Sequence, residues 1–410
     1  MGAFGWRWVA VAVFIISSTL NYLDRQLLVF LAPLIIHDLH INQTRFGLLI
    51  SAFSIAYAAA SLVTGWFLDR AGINRAISAA LGWWSIAATC TALTRGLAGL
   101  GICRAALGIG ESAGVPAVGK VNGLYLKPEE RALGAAANQI GLSLGAVIAP
   151  LWIGVAVAHG WRMPFVATGL MGFVWIPLWL GVNRAIPARY ADQELAPESG
   201  IGEFSLLRER SLILLVIANV LWMGSYSLWS NWTTLYLVHV EHLTLKQTAD
   251  YVWIPPLISN VGGFFGGWLS LRWIRRGRDA VVARRRAIAF SAVGYLLTLL
   301  LPLAPNAAWA TTIISISFFF SLAGSVNIYA LPIDIFGPAR SGLGIAALTC
   351  SFGILQTVIS PVIGFLGDHH LYKQVVWLVT IPLLLAVVCL QGLRDAEKGH
   401  TSGLASAQRV

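Results

Sequence analysis

The chain has 410 residues, 57% of them hydrophobic and only 11% charged, with a mean hydropathy of +0.73. A soluble domain carries about 25% charged residues, so the composition excludes a water-facing globule, a disordered chain and a disulfide scaffold. A net charge of +10 means little until the basic residues are located, and four cysteines dispersed in apolar runs offer no metal spacing.

A membrane-crossing helix needs about 20 mostly apolar residues. In chain order such windows cover 8–35, 46–68, 76–94, 99–124, 132–158 and 163–182, then 211–237, 252–274, 287–302, 309–331, 342–366 and 375–393. They predict an all-α integral membrane protein of twelve transmembrane helices. Its parts are an N-terminal six-helix bundle (1–184), a cytoplasmic linker (185–210), a C-terminal six-helix bundle (211–394) and a cytoplasmic tail (395–410). The first apolar run is too long for a cleaved leader and lacks a small-residue cleavage site. Of the 28 basic residues, twenty fall in segments on one side of this topology, five on the other and three within spans. That bias sets both termini in the cytoplasm of a multi-pass plasma membrane protein. The positive charge then serves topology and anionic lipid, and no nucleic-acid role follows from it.

Span one holds Asp24 and Arg25, and span four holds Arg104 and Glu111. Each costs on the order of 3 kcal/mol at the bilayer centre unless it is paired or faces water. Arg104 and Glu111 lie seven apart, so they face nearly the same way at about 10 Å separation along the helix. Asp24 and Arg25 point about 100° apart. Two acids and two bases cancel, so an anion can bind only if something compensates; a proton on one acid does that. The same residues also fit a buried ion-pair network that merely orders the bundle.

Span five adds Asn138 and Gln139. In span seven Trp222, Tyr226 and Trp229 form one aromatic stripe, which suits core packing, lipid contact or stacking on a ring-shaped solute. Asn260, Asn327, Tyr329 and Gln356 are polar residues within later spans. Each can bond a neighbouring helix or a substrate hydroxyl. The second half carries no deep acid or base, and the outer-loop pair His369–His370 has no third ligand candidate. With no metal site, no nucleophile–base cluster and no phosphate-binding Gly-rich loop, neither enzyme chemistry nor built-in ATP drive is expected.

The halves echo each other. Lys127-Pro128-Glu129-Glu130-Arg131 precedes a Gly/Ala-rich helix reaching Pro150, and Gly337-Pro338-Ala339-Arg340 precedes a similar helix reaching Pro361. Repeated six-helix halves place a substrate site near the midplane.

The stretch from Gly65 to Arg75 (GWFLDRAGINR) resembles the signature loop of the major facilitator superfamily, with Asn74 where a basic residue is more usual. Asn21-Tyr22-Leu23-Asp24-Arg25-Gln26, the run from Arg104 to Ala117 and the run from Phe165 to Trp175 together resemble its anion:cation symporter branch. The bacterial hexuronate and aldonate carriers are the particular likeness. That resemblance implies a proton-coupled symporter importing a small organic anion by alternating access, a sugar acid first among them. By motif match, Asp24 and Glu111 would carry protons and Arg104 would couple to them. Arg25 would hold the substrate carboxylate, with Tyr22 and Tyr57 beside it. Asp69, Arg70 and Arg131 would be gating residues. The resemblance implies a monomer with H+ as coupling ion and no other cofactor. A drug or lysolipid exporter, a carrier of simple mono- or dicarboxylates and, remotely, a membrane sensor or enzyme stay open.

Overall fold

The computed structural model describes residues 3–127, 130–185 and 204–393, and these are helical with no strand among them. The linker between 186 and 203 and the tail after 393 lie outside the described residues. In chain order the helices are α1 (Ala3–Phe30), α2 (Ala32–Asp38), α3 (Gln43–Ala71), α4 (Ile73–Thr91), α5 (Leu97–Glu111), α6 (Gly114–Tyr125), α7 (Arg131–Ile148), α8 (Leu151–His159) and α9 (Arg162–Ala185). They continue with α10 (Arg210–His239), α11 (Leu245–Thr248), α12 (Ile254–Ile274), α13 (Ala280–Tyr295), α14 (Ala307–Asp368) and α15 (Tyr372–Gln391).

Twelve membrane-crossing rods follow once the breaks are read. Spans four and five are α5 plus α6 and α7 plus α8, the second interrupted at Pro150. Proline lacks the N–H that a continuous helix needs there. Conversely, α14 joins two predicted spans across Gly337, whose φ of 74° is open to glycine but strained for other residues. Among the described residues, nine helical stretches are long and apolar enough to cross a membrane. The others are α4, α12 and the α5–α6 pair, where small residues, tryptophan and buried charges dilute the apolar count. The ninth span begins at Ala280, seven residues earlier than its hydropathy window. There the Asp279 side chain accepts from the Val282 N–H and starts the helix inside an arginine-rich segment.

The chain divides into two compact units. Unit 1 comprises 1–199, 234–253 and 360–368; unit 2 comprises 200–233, 254–359 and 369–410. Within unit 1, α3 packs on α5, α4 on α9, and α1 on α7. Glycine makes these approaches possible. A Cβ on Gly145 of α7 would stand 2.5 Å from the Thr19 carbonyl oxygen of α1, and one on Gly108 of α5 would stand 2.5 Å from the Phe53 carbonyl oxygen of α3.

The start of α3 shows how unit 1 satisfies its orphan backbone donors. The Asp368 carboxylate accepts from the Gln43 N–H at 2.8 Å, the Thr44 N–H at 2.9 Å and the Thr44 hydroxyl at 2.6 Å, while Asn42 accepts from the Arg45 N–H. At the same end Asp38 accepts from the Trp161 indole and from Arg162, which also donates to the Thr94 carbonyl. The indole bond first, and then Arg162, holds the Asp38 carboxyl below its usual 3.8.

Candidate functional site

Two of the membrane-embedded charges of unit 1, Arg25 and Glu111, line a cavity along α1. Along that helix Ser17, Ser18, Asn21, Tyr22 and Arg25 recur every three or four residues, so one face presents them together. Tyr57 of α3, Trp84 of α4, Glu111 of α5 and Asn138 of α7 complete the polar lining. The cavity measures about 80 Å³, and a water needs roughly 10–15 Å³ on that measure. Several waters fit, so the charges at its wall can be solvated.

Arg25 and Glu111 meet at that wall. The Arg25 Nε stands 2.5 Å from Glu111 Oε2, with the arginine side chain 26% exposed and the glutamate 0%. The guanidinium carbon also lies 4.6 Å from the centre of the Tyr57 ring and 4.9 Å from that of Phe53, so the aromatic faces hold the cation. The other Glu111 oxygen, Oε1, is buried with no hydrogen-bond partner among the described residues.

Asp24 and Arg104 sit away from the cavity wall, 1% and 3% exposed. Neither Asp24 oxygen has a partner at hydrogen-bond geometry among the described residues, nor have Arg104 Nε and Nη1. Thr168, Glu111 and Arg104 are polar residues in the neighbourhood of Asp24. An ionised carboxylate so placed would lack a hydrogen-bonded counter-ion, which is costly in a dry site. The Arg104 guanidinium lies 5.0 Å from the Phe53 ring centre. One phenylalanine thus touches both cations, one at the water and one in the dry interior. The ion pair that Glu111 makes crosses from α5 to α1.

Asn21 and Phe53 were not singled out from sequence. Asn21 is buried at the cavity, and its Nδ2 has no hydrogen-bond partner among the described residues. Its spacing of four from Arg25 was a usable signal. Phe53 lies in an apolar run that gives no sign of its two cations. Asn138 is at the wall and its Oδ1 accepts from Ser18 at 2.6 Å, whereas Gln139 is exposed and not at the wall. Tyr22 and Tyr57 both line the cavity.

The candidates of the second half lie in unit 2. Trp222 is fully buried and its indole donates to the Ser321 carbonyl at 2.8 Å. Trp229 donates to the Tyr295 hydroxyl, and Tyr226 packs edge-on against Phe318 and Phe352. Asn327 is fully buried and donates to the Gly266 and Ala323 carbonyls. Asn260 donates to the Pro256 carbonyl. In Trp222, Asn260 and Asn327 these donors bond carbonyls of the helices themselves. Tyr329 and Gln356 are half-buried.

Of the three gating candidates, Asp69 lies in α3 with its side chain outside the described residues, and Arg70 is exposed near that helix end. Arg131 donates to the Gly123 carbonyl in the last turn of α6 at 3.2 Å, a cation at the negative end of a helix dipole. The corresponding Arg340 of the second half pairs instead with Glu209.

A family model described as Major Facilitator Superfamily matches residues 14–283. The chain is 27% identical over 385 residues to the hexuronate transporter of Escherichia coli strain K12, covering 89% of this chain and 88% of that protein. It is 25% identical over 308 residues to the galacturonate transporter of Dickeya chrysanthemi, covering 70% of this chain and 89% of that one. Among solved structures, the unoccupied inward-facing crystal structure of a bacterial homologue of the human lysosomal transporter Spinster superposes with a TM-score of 0.73. That match has 18% identity and covers 94% of this chain and 95% of that one; at such identity it speaks for the fold alone.

Proposed function

The chain belongs to the Major Facilitator Superfamily, a multi-pass membrane transporter and not an enzyme, and from that premise we propose that it imports a sugar acid, a hexuronate or aldonate, together with protons by alternating access. The observation that carries the reading is the Arg25–Glu111 pair at the wall of a water-sized cavity. In its present pairing Arg25 is neutralised. A proton on Glu111 removes the anion from that pair, and the guanidinium then has a carboxylate-shaped vacancy for substrate. Loss of the proton restores the pair and expels the anion. Asp24, in the dry part behind the wall, is the second proton carrier, and Arg104 senses it through the shared charge balance. The names of the two relatives support a sugar acid, as do the hydroxyl and amide groups around Arg25, which suit a polyhydroxylated anion.

Purified protein in proteoliposomes should accumulate labelled glucuronate or galactonate when the outside is made acidic. Collapse of the pH gradient with a protonophore should reduce uptake to equilibration. Accumulation unaffected by the protonophore would refute proton coupling, and equal transport of the neutral parent sugars would refute the anion reading.

Asn21 gives a finer expectation. Its amide donates toward the same anion as Arg25, so Asn21→Ala should weaken binding by about fivefold, the worth of one hydrogen bond of ~1 kcal/mol. Asn21→Asp, which sets a negative charge four residues from Arg25, should cost far more. Isothermal titration with the transported acid separates these outcomes, and equal affinity in both variants would remove Asn21 from the site.

A further inference from the structure

Helix α12 of unit 2 sorts its residues by size. Its small residues, Ser259, Gly262, Gly266 and Ser270, are buried, and a Cβ on Gly262 or Gly266 would stand 2.2 or 2.1 Å from the Phe319 or Ala323 carbonyl oxygen of α14. The large residues take the other face. Val261, Phe264 and Trp268 recur at three and four residues and are 53%, 63% and 50% exposed, an apolar strip that meets acyl chains when the protein is in its bilayer. The strip runs directly into Arg272, Arg275 and Arg276, all exposed.

These arginines have no carboxylate partner among the described residues. The acid nearest in sequence, Asp279, caps α13, and Asp334 of α14 pairs with Arg284. The Arg272 guanidinium sits over the Trp268 ring at 5.4 Å from its centre, so cation and indole meet where the apolar strip ends. An indole at a membrane interface beside unpaired guanidinium groups matches the two ends of one molecule, an acyl chain and a phosphate.

We propose that this strip is a binding site for one anionic phospholipid, its chains along Val261, Phe264 and Trp268 and its headgroup phosphate on Arg272, Arg275 and Arg276. Every arginine near an anionic headgroup strengthens the attraction several-fold, so three give on the order of a hundredfold. The site lies in unit 2 and does not depend on which solute unit 1 binds.

Native mass spectrometry of the full-length protein, titrated with dioleoylphosphatidylglycerol or dioleoylphosphatidylcholine, tests it. The wild-type protein should retain one phosphatidylglycerol with an apparent affinity at least tenfold above phosphatidylcholine. The R272Q/R275Q/R276Q variant should lose that preference, while R208Q, an exposed arginine elsewhere, should keep it. If the triple variant does not purify folded, R272Q and R275Q alone should each reduce the preference about threefold or more. Equal retention of the two lipids would overturn the proposal, as would a preference that survives the arginine substitutions. Displacement of phosphatidylglycerol by equimolar glycerol phosphate would mean a soluble-phosphate site instead, and would overturn it too.

Discussion

Arg25→Ala should abolish binding of every carboxylated substrate while leaving a folded protein. Among the described residues, the substitution removes the one charged donor at the cavity wall, and it leaves Glu111 without its 2.5 Å partner. Removing the charged partner of a buried substrate carboxylate costs about 2–5 kcal/mol of binding, which corresponds to roughly thirtyfold or more in affinity. Thermal stabilisation by saturating sugar acid reports this directly, because stabilisation follows mass action. Arg25→Lys should recover part of the loss at most. A lysine keeps the charge but lacks the planar fork for a carboxylate, and it stacks less well on Tyr57 and Phe53. Unchanged ligand-induced stabilisation in Arg25→Ala would end the assignment of this residue to substrate.

Glu111→Gln should separate transport from its driving force. Glutamine imitates the protonated acid, so Arg25 stays available and exchange of labelled for unlabelled substrate across a membrane should persist, within about threefold of wild type. Accumulation driven by an acidic exterior should disappear, since no proton can be taken up and released at this position. Asp24→Asn should also lose accumulation. Its effect on exchange reports whether the dry carboxylate only carries charge or also holds Arg104 and Thr168 in place. Proteoliposomes with and without a pH gradient distinguish these results, and normal gradient-driven accumulation by both variants would refute the proposed coupling. Because the neutral side chain retains the shape of the acid, lost exchange together with lost accumulation would instead point to a structural role for the Arg25–Glu111 pair.

The twelve-helix fold was legible in the sequence because the bilayer imposes one length and one solubility on every crossing segment. The charges were legible for the same reason, since Asp24, Arg25, Arg104 and Glu111 stand out against apolar surroundings. The partnership among them was not. Spacing along a helix gives a direction but no neighbour, and the partner of Glu111 lies on α1, 86 residues away in the chain. Phe53 was invisible because its role comes from two cations that approach it from other helices. The second half is a different case. A polar side chain in an apolar span can serve a solute or a neighbouring backbone, and the sequence holds no information on which carbonyl is near. Trp222 and Asn327 turned to the Ser321, Gly266 and Ala323 carbonyls.

Gly108 carries no functional group, yet the Phe53 backbone passes so near that even a methyl at this position would meet it at 2.5 Å. Pushing α3 outward would slide the phenylalanine from beneath Arg25 and Arg104 together, with every titrating side chain still present. The permitted residue at position 108 is therefore dictated by the ion chemistry of its neighbours, and damage to this carrier can arise at a site that has no chemistry of its own.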